Sequence, residues 1–193
     1  NTVQNYARLY NSDVQIMLSS PENPLMQFGG INTGRFKAGA SPEKGYMYGW
    51  PMNNYWVTNF NADQHGGHQW VYTLSSDAAG RGNAVNFGWG RRTPFLGRIL
   101  PGGGQGDAIG ARSFLSGWPE GLLLVSAMPA EEGRAAILHV REIEGLPISD
   151  FALYRGTDGT PIPWETVDVC GDIVANRVKD LKPFESRFIK IWW

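Results

Sequence analysis

Glycine and proline decide most of what this chain can fold into. Of 193 residues, 25 are glycine and 12 are proline. They fall between short apolar and aromatic runs, a punctuation that leaves little room for long helices. "YARLY", "DVQIMLSS", "PLMQFGG", "NNYWVTNF" and "HQWVYTLSS" read as strands rich in aromatic and β-branched residues. "LGRILP", "ARSFLS", "LLLVSAM", "AAILHVREI", "ISDFALYR" and "RFIKIWW" continue the series. Strands recurring roughly every ten residues, with turn residues between, predict an all-β fold, an antiparallel β-sandwich. One short helix is expected in "GRGNAVNFGWG", with Asn83 as its cap and Val85 and Trp89 four apart on one face. "LPGGGQGDAIG", "SPEKG", "GLPISDF" and "GTDGTPIPW" read as loops and connectors. No repeat or sharp shift in composition divides residues 1–193, so a single β-sandwich domain is expected.

Composition removes several functional classes. The chain is 42% hydrophobic and 18% charged, too apolar for disorder. A net charge of −1 gives no electrostatic footprint for nucleic acid or an anionic membrane, and neither is expected as a partner. No apolar run is long enough to span a bilayer, and no signal peptide is visible. Cys170 stands alone, which excludes an intrachain disulfide. It fits a reducing compartment or a bacterial periplasm, and "VDVCGD" suggests a small buried residue rather than a nucleophile. The chain begins at Asn1 rather than at methionine and is expected to be a processed product or a piece of a longer protein.

Catalytic signatures are sparse. There is no G-x-S-x-G elbow, and "PGGGQGDAIG" fits neither the Walker pattern nor G-x-G-x-x-G. Ser126, in an apolar run, reads as a satisfied strand serine. His65 and His68 form H-x-x-H beside Asp63, the weak candidates for a metal site. Side chains three apart leave a strand on opposite faces, so joint ligation would need a turn. Only His139 remains as a third histidine, so a solvated hairpin tip is the better reading and no cofactor is expected in this chain. Glu131, Glu132, Glu142, Glu144, Glu165, Asp168 and Asp172 are the carboxylates from which a glycosidase pair could be drawn. Glu142 and Glu144 share a strand face, where a solvated edge is expected.

The densest feature is "GYMYGWPMNNYWVTNFNADQHGGHQW", residues 45–70. Aromatic planes interleaved with amides suit a neutral sugar: rings stack on its C–H face and amides fix its hydroxyls. Tyr48, Trp50, Asn53, Asn54, Trp56 and Asn59 are the candidate binding or interface residues. Alternation also offers a purely structural reading, with Asn54, Trp56, Thr58 and Phe60 on one face and Asn53, Tyr55, Val57 and Asn59 on the other.

This stretch resembles a known family. "MNNYWVTN" is similar to the M-N-N-x-W-x-T-N segment of glycoside hydrolase family 38 α-mannosidases, and "TPFLGRIL" to the stretch that follows it. "NPLMQFGGINTG", "EGLLLVSAMPAEEGRAAILHVREIEG" and "VKDLKPFESRFIKI" resemble further segments in the same order, so the likeness covers most of the chain. His139 in "HVRE", Pro51 and the terminal "IWW" depart from the family pattern. The resemblance implies a C-terminal β-sandwich of the supersandwich, galactose-mutarotase-like type. It implies a non-catalytic module that packs on the catalytic domain of its parent chain and helps complete a mannoside-like carbohydrate site. The zinc and the nucleophile would belong to the parent's missing catalytic domain, in a periplasmic or secreted protein. A free-standing carbohydrate-binding module using the same aromatics is the alternative, and a small enzyme built on the chain's own carboxylates is a third.

Overall fold

In the computed structural model, strands follow the glycine and proline punctuation closely. It describes residues 1–32, 42–52, 63–97, 99, 113–174 and 179–193. The expected strand "NNYWVTNF" and the loop "LPGGGQGDAIG" lie outside these residues, as does half of "LGRILP". The fold is all-β and antiparallel with one helix among the described residues. The chain divides into two units, Asn1–Leu96 and Gly97–Trp193.

In the first unit, β1 (Ala7–Tyr10) and β2 (Val14–Ser19) form a hairpin. The Asn11 carboxamide closes its turn by accepting the N–H groups of Asp13 and Val14 at 2.9 and 2.8 Å. Two more strands, β3 (Met26–Phe28) and β4 (Met47–Gly49), make a separate ribbon. The fifth, β5 (Thr73–Ala78), pairs with β2. The strand expected over "HQWVYTLSS" thus begins only at Thr73. Along β2 the buried parity is the more polar one: Gln15, Met17 and Ser19 point inward, while Val14 and Ile16 face solvent. Gln15 explains the inversion. Its Nε2 donates to the carbonyls of Ala78 and Gly80 at 2.9 and 3.0 Å, satisfying the backbone where β5 hands over to the helix.

That helix, α1, is Arg81–Arg92. Its N-cap is Gly80, with no side-chain cap, so Asn83 is not the cap but an exposed residue of the first turn. Arg91 and Arg92 close the last turn, where cations complement the helix dipole. Arg92 also donates to the carbonyl of Gln4. The face expected from Val85 and Trp89 is only half-buried; Gly82, Ala84 and Gly88 are the buried residues. Small residues let the helix come close to Tyr6. A Cβ on Gly88 would lie 2.7 Å from Tyr6 Cδ1 and 3.0 Å from Tyr6 Cβ. Contact with both the ring and its root prevents a simple side-chain swing. Gly88→Ala is therefore expected to destabilise the first unit by ~1–3 kcal/mol, although alanine is the better helix former. Equilibrium denaturation checks this, and a more stable variant would show that the helix–Tyr6 contact gives way freely.

The second unit is a sandwich of two sheets. One sheet orders β11 (Trp164–Val167), β12 (Ser186–Trp192), β8 (Ala135–Glu142) and β7 (Leu122–Pro129). The other orders β10 (Pro161–Ile162), β9 (Leu153–Arg155) and β6 (Leu115–Ser116). Alternate residues of the first sheet, Leu122, Leu138, Val140, Ile189 and Ile191, meet Leu153 and Ile162 of the second in one core. Phe151 stacks on Trp164 at 4.7 Å within it. "GTDGTPIPW" is not a plain connector: it carries β10 and the start of β11 after its turn. The four-stranded sheet is also covered on part of its other face, around Ile137 and Lys190. Gly171 of the 168–172 turn sits against Ile137, and Lys190 is buried there in an ion pair with Glu132. Both parities of "AAIL" are consequently buried.

Candidate functional site

The β3–β4 ribbon gathers the candidate surface. Its register pairs Gln27 with Tyr48, Met26 with Gly49 and Phe28 with Met47. Directly paired residues share a face, and successive residues alternate. Met26 is buried on one side, with Phe28 and Met47 half-buried beside it. On the other side lie Tyr48 and Gln27, and the same alternation carries Tyr46 and Trp50 outward. Tyr46 is 52% exposed and Trp50 42%. The rings of Tyr46 and Tyr48 meet edge-on with centroids 6.3 Å apart, and Lys44 Nζ lies 6.0 Å from the Tyr46 ring. Gln27 Nε2 donates to the carbonyl of Gly30 at 2.7 Å, which holds its amide beside this row.

Trp50 is held by its backbone. Its N–H donates to the carbonyl of Leu25 at 2.8 Å. The buried amide of Asn23, in the orientation that satisfies both ends, donates to the Trp50 carbonyl at 2.7 Å and accepts the Tyr72 hydroxyl at 2.6 Å. Tyr72 in turn leaves no room on Gly49, where a Cβ would stand 2.7 Å from its hydroxyl oxygen. The tryptophan is thus presented on a fixed backbone with its ring partly free.

Of the sequence-predicted residues, Tyr48 and Trp50 come together on this face. Asn53, Asn54, Trp56 and Asn59 lie outside the described residues. Tyr46, Gln27, Asn23 and Tyr72 were not expected to belong to the surface. Tyr46 was legible, since it continues the i, i+2 row of Tyr48 and Trp50. The others depend on register and on a side-chain contact across 49 residues of sequence.

His65 and His68 are both exposed, in an irregular segment that leads toward β5. His68 lies beside Trp70, rings 5.5 Å apart, with Nε2 3.4 Å from the Gln64 carbonyl. No group of three metal-capable side chains occurs among the described residues.

Of the candidate carboxylates, Glu132, Glu142 and Asp168 are engaged in structure. Glu142 was expected on a solvated edge, yet it is fully buried. Its Oε1 accepts the N–H of Glu144 at 2.5 Å, and Oε2 accepts those of Gly145 and Phe184 at 2.9 and 2.7 Å. Burial alone would push this carboxyl up; the N–H groups of Phe184, Glu144, Gly145 and Leu146 outweigh it and hold it below the ordinary range. The carboxylate serves as the organiser of a β8 terminus, so Glu142 and Glu144 do not share one environment. Glu132 is held low first by its hydrogen bond with Lys190. Asp168 Oδ1 accepts the N–H groups of Cys170 and Asp172 at 2.9 and 3.0 Å, shaping the 168–172 turn. That turn places Cys170 in solvent, correcting the expectation of a buried thiol. Ser126 is likewise exposed, just past the bulge in β7.

No family model matches the chain, and neither a curated protein nor a solved structure is similar to it.

Proposed function

We propose that this chain is a non-catalytic β-sandwich module of an α-mannosidase-like glycoside hydrolase, docking on the parent's catalytic domain through the outward face of the β3–β4 ribbon. The observation that carries the reading is the composition of that face: Tyr46, Tyr48 and Trp50 in a row with Gln27, and no charged side chain on the ribbon's paired residues. Aromatic side chains fixed by their backbone make strong interface anchors because little entropy is lost on contact. A second apolar face in the same unit supports docking. Val14 and Ile16 stand on the outer parity of β2, with Leu74 of β5 paired to Leu18 on that side. Removing this chain from its parent is expected to lower both the yield of folded enzyme and its α-mannosidase activity. Undiminished folding and activity without it would sink the reading.

The exposure of the Trp50 and Tyr46 rings favours one further reading, direct binding of a neutral mannoside. Trp50→Ala is then expected to weaken mannoside binding by the chain ~tenfold or more, with its circular dichroism unchanged. Calorimetric titration with mannose oligosaccharides measures this. Equal binding by the variant would assign the face to docking alone.

A further inference from the structure

Arg155 occupies a place in β9 that strands normally give to apolar residues. It follows Leu153 by two positions, so the two side chains leave the strand on the same side. Leu153 is buried in the core of the second unit, and Leu115, the cross-strand partner of Arg155, packs against that core. Arg155 therefore points inward at the end of its strand. A guanidinium stays charged at any physiological pH, and partial desolvation is costly unless an anion meets it. Among the described residues no carboxylate lies within ion-pair distance of Arg155. Asp158, in the following turn, feels its charge, but Asp158 Oδ1 accepts the Thr160 N–H at 2.9 Å.

The space in front of Arg155 is a pocket of about 290 Å³ lined by Phe114, Arg155, Thr157, Ile162 and Trp193. Phe114 and Trp193 meet edge to face, centroids 4.9 Å apart and planes 85° apart, and form a right-angled aromatic corner. Both rings are open to solvent, Phe114 at 68% and Trp193 at 38%. Their backbones are nonetheless anchored. The Phe114 carbonyl accepts the Gly156 N–H at 3.0 Å, and the Trp193 N–H donates to the Arg134 carbonyl at 3.1 Å. The segment leading into β6, which carries Phe114, lies so close to the turn that a Cβ on Gly156 would stand 1.9 Å from the Ser113 carbonyl oxygen. The walls are thus built before any ligand arrives, which reduces the entropy lost on binding.

We propose that this pocket binds a six-membered ring bearing a carboxylate, with the ring against the Phe114–Trp193 corner and the carboxylate on Arg155. The size admits one ring rather than a chain of them. The guanidinium fork matches a carboxylate in two parallel hydrogen bonds, and the Thr157 hydroxyl can meet one further polar group. A hexuronate and an aromatic acid share this chemistry.

Ligand-observed NMR on the full chain tests the proposal, with glucuronate and benzoate as acids, glucose and benzyl alcohol as their neutral counterparts, and acetate as a carboxylate without a ring. At least one ring acid is expected to bind ~tenfold or more tightly than its neutral counterpart and than acetate. Arg155→Gln is expected to abolish that preference, and Phe114→Ala to weaken the same acid. The acid that binds identifies the source of the ring. Absence of binding by both acids at millimolar concentration overturns the proposal, as does equal binding by wild type and Arg155→Gln. Should Arg155→Gln fail to fold, Phe114→Ala decides alone, since its exposed ring supports no core: unchanged affinity refutes the pocket, and a loss upholds it.

Discussion

Glu142→Ala is expected to destabilise the chain by about 3 kcal/mol or more, because it orphans buried donors rather than merely deleting a contact. The N–H groups of Glu144, Gly145 and Phe184 all point at this carboxylate. Two segments 42 residues apart in sequence, the end of β8 and the approach to β12, are joined by it. Glu142→Gln should cost less but still substantially, since its NH₂ would face a donor where the carboxylate now accepts. The same geometry predicts the acid response. The carboxyl is held below its ordinary value of 4.5 in the folded chain. Between that folded value and 4.5 the unfolded state binds the proton more tightly, so stability rises with pH there. The contribution of Glu142 is complete above 4.5 and is lost as pH falls through the folded value. Glu185 acts in the same sense: burial opposes its ionisation, but the Lys182 N–H and Arg187 outweigh it. Urea denaturation of wild type and Glu142→Gln at several pH values reads this directly. A variant with the wild-type acid slope would show that Glu142 does not carry the effect.

Ile189→Ala should be comparably severe, at about 2–5 kcal/mol. Ile189 is fully buried in the sandwich core of the second unit. It lies on β12, which has hydrogen-bonded neighbours on both sides, β11 and β8. A central strand cannot shift to fill the void without disturbing two ladders, so most of the cavity would remain. The expected result is a lower denaturation midpoint with an unchanged denaturant slope. A loss below ~1 kcal/mol would mean that the core collapses around the site.

Several features could be read from local pattern. The strands of the second unit follow alternation and turn spacing: β8 falls within the expected run "AAILHVREI", and β12 matches "RFIKIWW" but begins one residue earlier, at Ser186. The helix was also legible, but its cap and buried face were not. Glycine reads as a helix breaker until Tyr6, 82 residues away in sequence, is seen to require the absence of a side chain at Gly88. Glu142 was misread for a similar reason. Two acids on one strand parity suggest solvent, and nothing local announces that the Phe184 N–H will arrive from another segment. Of the candidate surface, Tyr48 and Trp50 could be nominated from their chemistry, whereas Gln27 needed the β3–β4 register.

Sequence alone determined the class of fold, because Gly and Pro limit element length and the period-2 runs between them bury a side chain only as strands. It also determined the chemical bias of residues 45–50 toward uncharged aromatic contact. Tertiary structure decided which parity of each strand faces inward. On β2 the amide of Gln15 is buried and Val14 and Ile16 are exposed, against the hydropathy of the pattern. The physical reason is that backbone groups at the β5–α1 junction need a partner, and only the assembled sheet shows that Gln15 supplies it. The same holds for Arg155, whose inward position acquires meaning only when Phe114, just before β6, and Trp193, just after β12, are brought beside it.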